Sequence, residues 1–400
     1  MVNKITKMKN AAIIVGGIIL VFLINACRSL PEDHSLSYEI SKSDTLYICD
    51  ASLINRDVAQ TKLSDWITDF KIVHLEDSDS ALVRGWRTYI SDNYIGISDE
   101  ASPFKLFDHQ GQFLGCIGRI GQGPGEYKYV YDAALNEKNN RICLGDMSGP
   151  LQEYDIKGNF VRRLGEGFRL NKPGMRYEKD GSFTTTHLVF TGVTGFQYLR
   201  VEKDSSVVPV PPVQTMMLAG EDHKGSTIGF NNELWSWNNM PYLTYQVSAF
   251  DTLYAFKPDT HETYPSFTLK NHQNTFCLYN ETPFCFLVFV FPGTDWTPPT
   301  NTIMVNKQEK QSYYLDVKND FAGNLPVAQL ATSIKNGWYY QMFEPYKLLE
   351  LIDERLSGSD CSDKDRKVLE ELKNSIDENG NNIMFIGKLK EHFDKGSLIY

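Results

Sequence analysis

Between Ser35 and Pro345 the chain is written in short runs of apolar and β-branched residues, many alternating with polar ones, and helical spacing is almost absent. The pattern predicts strands over 70–75, 94–97, 141–144, 183–189, 198–201, 243–247, 252–256 and 337–343. Turn chemistry separates them as Asp-Asn, Asn-Asn, Asp-Gly and Lys-Asn-Gly. The period then changes. Leu348, Leu349, Ile352 and Leu356 fall on one face of a helix, and Val368, Leu369, Leu372 and Ile376 on another, with Ser357-Gly358-Ser359-Asp360 between them. Residues 345–378 are therefore expected to form an amphipathic helical hairpin, and the run at 382–390 returns to strand.

A repeat lies within the strand pattern. Phe107-Asp108-His109-Gln110-Gly111-Gln112-Phe113 recurs 47 residues later as Tyr154-Asp155-Ile156-Lys157-Gly158-Asn159-Phe160. Strand-rich units of about 45 residues are the mark of propeller blades. A sandwich would show similar strands without such a period. The repeat length gives five or six units, with the hairpin inserted in the last blade before a final strand. The expected class is all-β, a β-propeller.

The N-terminus changes the picture from a free protein to a tethered one. Lys4, Lys7 and Lys9 precede an apolar run from Ala11 to Ile24 that is short for a membrane span and suits a secretion signal. It ends in Leu23-Ile24-Asn25-Ala26-Cys27, a small residue and then Cys, in the manner of a bacterial lipobox. On this reading residues 1–26 are a lipoprotein signal peptide, Cys27 is lipidated, 27–36 is a tether and 37–400 is the propeller. Acyl chains contribute about 0.8 kcal/mol per buried CH₂, so several make a durable anchor.

The net charge is −10, and removal of residues 1–26 would make it −13, without any cluster of Lys and Arg; a nucleic-acid partner is not expected. Six cysteines follow Cys27. Cys277 and Cys285 flank the turn sequence Asn280-Glu281-Thr282-Pro283 and are either a cross-hairpin disulfide or two buried thiols. The spacings of Cys and of the eight histidines give no metal-ligand pattern, so no metal or cofactor is expected.

Four segments resemble the six-bladed β-propeller lipoproteins abundant in Bacteroides and related gut bacteria. They are Lys62-Leu63-Ser64-Asp65-Trp66 through Leu75-Glu76, the glycine-rich run Gly111–Tyr127 ending Gly-Gln-Gly-Pro-Gly-Glu-Tyr, the repeated Asp-x-x-Gly-x-Phe turn, and Asn382–Lys390. The second is the most specific. Together they span about residues 40–395. Val73-His74-Leu75-Glu76 stands where such proteins usually carry Ile-Pro-Leu-Glu. The resemblance implies six blades and an outer-membrane address, on the periplasmic face or at the cell surface, and implies no activity.

Candidate chemistry is sparse. The glycine-rich loop offers Arg119, Gln122, Glu126 and Tyr127, a set suited to a glycan or a peptide end; it is equally a structural corner with Arg119 paired to Glu126. It is no nucleotide cradle, because no Lys-Ser/Thr follows the glycines. Trp235, Trp237 and Trp296 lie beside loops, where rings either stack on sugars or fill the space between blades. Gly145-Asp146-Met147-Ser148-Gly149-Pro150 superficially resembles a protease nucleophile loop but lacks partners, and no catalytic residue is assigned. The expectation is a monomeric, non-catalytic binding or accessory protein for an envelope protein partner, a glycan or a peptide. The alternative is a hydrolase or lyase with a site assembled in the central channel, and a third reading is a scaffold with a plugged channel.

Overall fold

In a computed structural model of the protein, six sheets are arranged as the blades of a propeller. The structure describes residues 34–41, 44–85, 87–99, 102–192, 195–220, 231–272, 276–291 and 302–393. Blade 1 uses strands between Arg87 and Ile117, blade 2 between Asp132 and Leu164, and blade 3 between Gly174 and Val210. Blade 4 follows from Leu234 to Lys270 and blade 5 from Cys277 to Asn319. Blade 6 combines Ile334–Lys335, Trp338–Phe343 and Ile383–Leu389 with Ile67–His74 from near the start of the chain. That last pairing closes the ring by hydrogen bonds between the two ends of the propeller.

The N-terminal segment does more than close blade 6. Asp44–Asp50 adds in parallel to the outer strand of blade 4, with Leu36–Ser41 folded back on it, and Val58–Lys62 adds in parallel to blade 5. Three consecutive blades are thus strapped along their rims by one stretch of chain, which satisfies edge groups that would otherwise be open to pairing.

Six apolar clusters hold the blades together, one for each interface. Ile90, Ile95 and Phe107 meet Val73 and Ile386 between blades 1 and 6. Leu106 and Phe104 meet Ile142 and Tyr154 between blades 1 and 2. The remaining four clusters join blades 2 and 3, 3 and 4, 4 and 5, and 5 and 6. Each blade is covered on both faces, so its strands read as continuous apolar runs; Cys285–Val290 is buried at every position.

The repeated Asp-x-x-Gly turn explains how neighbours approach. In both copies one Asp oxygen accepts two backbone N–H groups, from Gln110 and Gln112 to Asp108 and from Lys157 and Asn159 to Asp155. Gly111 (φ +84°) and Gly158 (φ +85°) complete the turns. A Cβ at Gly111 would stand 2.0 Å from the His74 carbonyl oxygen of blade 6, and one at Gly158 2.3 Å from that of Cys116 in blade 1. The glycine lets each turn press against the backbone of the preceding blade.

The helical hairpin is α1 (Pro345–Ser357) and α2 (Asp363–Asn374), inserted between two strands of blade 6. Leu348, Ile352, Leu369 and Leu372 enter the cluster between blades 5 and 6. The Ser362 hydroxyl accepts the Asp365 N–H at 3.1 Å and caps α2. Asp363 and Asp365 lie in its first turn, where acidic side chains are favourable.

The proposed Cys277–Cys285 disulfide is corrected by the register. Cys277 faces Val290, five residues along the strand from Cys285, and the two buried sulfurs are not bonded to each other. At about 3.4 Å per residue they stand roughly 17 Å apart, against the ~7 Å Cα limit of a disulfide. No helix among the described residues is long and apolar enough to cross a membrane.

Candidate functional site

The first strand of every blade lines the central channel, so whatever its side chains carry converges there from distant parts of the sequence. At the mouth where these strands begin lies a cavity of 740 Å³. Blade 1 contributes Arg87 and Thr88, blade 4 contributes Trp235 and Ser236, and blade 6 contributes Lys335. The first strand of blade 6 is only Ile334–Lys335, so Tyr340, Gln341 and Met342 of its second strand also reach the cavity, as do Gln329, Thr332 and Ser333 before it.

Charges are organised in layers beneath this mouth. Asp132, 1% exposed, accepts from Lys335 Nζ at 3.0 Å through Oδ1. Its Oδ2 accepts from the Met175 N–H at 3.1 Å and from the Ser236 hydroxyl at 3.3 Å. The Lys335 ammonium also lies 4.5 Å from the ring centre of Tyr89, and the Arg87 guanidinium 4.2 Å from that of Tyr131. Burial, and the like charge of Arg87, push Lys335 below the usual lysine range while Asp132 pulls the other way. The Tyr131 hydroxyl donates to Glu233 at 2.6 Å, and the other Glu233 oxygen pairs with Lys172. Both carboxylates nearest the channel are thus engaged twice or more.

The opposite mouth holds a second cavity, of 510 Å³, walled by blades 1, 2, 3, 4 and 6. Arg176 pairs with Glu178 there at 2.9 Å, and Asn136, Asn238, Asn336 and Trp338 complete its polar rim. No histidine among the described residues lines either cavity. Among the described residues no group of His, Cys, Asp or Glu is placed to hold a metal ion.

The glycine-rich loop lies apart from both mouths. Glu126 folds back to accept the Gly123 N–H at 2.8 Å, so its carboxylate is held by its own loop rather than by Arg119. Tyr127 is buried, donating to the Ile117 carbonyl at 2.7 Å and accepting the Phe104 N–H at 2.8 Å. The Gln152 amide and the Tyr154 hydroxyl bind the carbonyls of Glu126 and Gly125. Arg119 and Gln122 are exposed. The loop joins blade 1 to blade 2 as a corner.

Of the sequence candidates the structure brings Trp235 and Trp237 to one cavity; Trp235 is half-buried and Trp237 is 6% exposed. Trp296 and Cys27 lie outside the described residues. Sequence reasoning missed Arg87, Asp132, Glu233 and Lys335. Their signal was a lone charge at the head or end of a short apolar strand, as in Arg87-Thr88-Tyr89-Ile90 and Asp132-Ala133-Ala134-Leu135.

The chain belongs to the family described as domain of unknown function DUF4934, whose model matches residues 46–388. Among solved structures it is similar to an exported protein of Bacteroides fragilis, at 16% identity and TM-score 0.53, over 84% of this chain and 100% of that one. A protein of unknown function from Bacteroides caccae matches at 11% identity and TM-score 0.34, over 58% of this chain and 81% of the other. The xyloglucanase of Xanthomonas campestris matches at 12% identity and TM-score 0.40, over 61% and 39%. The first likeness supports the six-bladed fold; the other two carry no argument. No curated protein matches.

Proposed function

We propose that this protein is a lipid-anchored binding propeller of the cell envelope, holding a glycan or peptide ligand at the mouth of its channel where the first strands begin. The carrying observation is the 740 Å³ cavity in which a half-buried Trp235 stands among cations, hydroxyls and amides, the composition of a recognition site. Asp132 is buried and engaged by Lys335, Met175 and Ser236, which supports binding without turnover. Glu233 lines the cavity partly exposed with both oxygens engaged, by Tyr131 and Lys172. A general acid or nucleophile needs a carboxylate that can reach its substrate.

The membrane part of the proposal rests on the basic and apolar residues 4–24 and the Ala26-Cys27 pair. Lipidation of Cys27, after removal of residues 1–26, would leave a short tether to the strap on blades 4 and 5 and an outer-membrane address, where a transport or glycan-handling complex is the expected protein partner. A Cys27→Ser chain should appear in the soluble fraction while wild type remains with membranes; equal membrane retention would overturn the anchor. Binding is tested by an array of envelope glycans and peptides probed with wild type and Trp235→Ala. A ligand class lost in the variant is expected. Turnover of a bound glycan or peptide by purified protein would replace the binding reading with a hydrolase or lyase.

A further inference from the structure

We propose that this cavity selects an acidic sugar, a hexuronate residue whose ring lies on Trp235 and whose carboxylate is received by Arg87 and Lys335. The inference rests on the binding reading above and names its ligand class. The charges first favour it. Arg87, Lys335 and Lys172 stand at or beneath the mouth against Asp132 and Glu233, an excess of one positive charge in a chain whose net charge is −10. A local excess of positive charge between low-dielectric walls attracts anions even in an acidic protein.

A second, independent feature points the same way. The Trp237 indole N–H is buried in the wall of the cavity and has no hydrogen-bond partner. An indole can only donate, so its missing partner is an acceptor. Buried donors without partners are rare in folded proteins, and a modest turn of the Trp237 ring towards the cavity would let a ligand oxygen complete this one. A cationic ligand would leave it unsatisfied and add to the positive excess.

The side chains also decide between an acidic sugar and a bare anion. Arg87 lines the cavity with its guanidinium held 4.2 Å from the Tyr131 ring centre, and a guanidinium carries five donors in a fork that suits a carboxylate. Trp235 supplies an aromatic surface, while Gln329, Thr332, Ser333 and Gln341 supply the hydroxyl and amide groups that suit sugar hydroxyls. An inorganic anion would use the cations and ignore the rest.

The test is calorimetric titration of the full folded protein with galacturonate and glucuronate oligomers, with neutral galactose and glucose oligomers of the same linkage, and with a peptide bearing a free C-terminal carboxylate. The acidic oligomers should bind, more weakly as salt is raised, and the neutral ones should not. Arg87→Gln should lower affinity roughly 10- to 100-fold, the range expected for a lost charge-assisted hydrogen bond. Trp237→Phe, which keeps an aromatic ring and removes the indole donor, should also weaken binding, with a cooperative unfolding transition above the assay temperature as the check on folding. Equal binding of neutral and acidic oligomers, indifference to Arg87→Gln, or binding of the peptide alone would overturn the acidic-sugar assignment and leave the binding reading standing. Absence of binding by every probe would count against both.

Discussion

Replacing Asp132 by alanine isolates what holds the channel floor together. The wild-type carboxylate is 1% exposed and accepts from Lys335, the Met175 N–H and the Ser236 hydroxyl. Its removal leaves the Lys335 ammonium, whose side chain is 8% exposed, without its counter-ion and beside Arg87. Breaking a buried pair in this way costs about 3–5 kcal/mol. The orphaned Met175 N–H adds about 1–3 kcal/mol. Removing both charges, as Asp132→Ala with Lys335→Met, should recover most of the first cost and keep the second, because the uncompensated ammonium is gone and the N–H is still unpaired. Asp132→Asn should fall between wild type and Asp132→Ala, since its amide oxygen can still receive the Met175 N–H. The assay is urea unfolding followed by circular dichroism, comparing midpoints at constant slope. A loss below about 1 kcal/mol for Asp132→Ala, or a double variant no more stable than the single, would refute the reasoning and mean that water already screens the pair.

Two further outcomes are expected. Burial holds the His187 imidazole neutral, with its pKa pushed down to about 4; one ring nitrogen meets the Phe196 carbonyl at 3.2 Å and the other the Asn171 N–H at 3.3 Å. The unfolded chain takes up a proton near the ordinary histidine value and the folded chain does not, so stability is complete above about pH 6.5 and falls towards pH 4, by about 3 kcal/mol in all. Unfolding midpoints at neutral and acid pH should show this loss in wild type, and a smaller pH-dependent loss in His187→Gln. Gly158→Ala places a Cβ at φ +85° and 2.3 Å from the Cys116 carbonyl oxygen. It should cost about 1–3 kcal/mol in denaturant unfolding, whereas a cost near zero would mean that the contact between blades 1 and 2 is not tight.

The fold was legible because its punctuation is local. The Asp-x-x-Gly turns and the change of period at 345 each need only a few neighbouring residues to be recognised. Later blades hide the repeat for a physical reason. The equivalent turn in blade 3 repeats the same pair of backbone hydrogen bonds, between Glu202 and Ser206 and between Ser205 and Glu202, but its left-handed position is Ser205 (φ +69°). In blade 5 the turn is built on Asn306, whose Oδ1 accepts two backbone N–H groups, and Lys310 (φ +54°) takes the left-handed role. The conformation is kept while the glycine that advertises it is lost. The strap on blades 4 and 5 was also invisible, because parallel pairing with strands more than 200 residues away leaves no local trace.

The candidate site was less legible. The glycine-rich loop drew attention through its composition, yet Glu126 and Tyr127 spend their polar groups inside the corner that the loop forms. The channel charges come from strands that start at Arg87, Asp132, Leu234 and Ile334, and only the ring closure makes them neighbours. Trp235 and Trp237 were reachable from sequence because both rings lie beside a loop, and the strand that carries Trp235 ends at Ser236. Their different exposure depends on the neighbouring blade, which sequence spacing does not specify.

The central claim is that ligand sits at the channel mouth where the first strands begin, and amide hydrogen exchange on the full folded protein, with and without an acidic oligosaccharide, tests it most directly. Protection is predicted in peptides covering 233–237, 328–335 and 340–342, the segments that wall the 740 Å³ cavity. Protection confined to the loop at 119–127, or to the opposite mouth at 133–139 and 175–181, would contradict it.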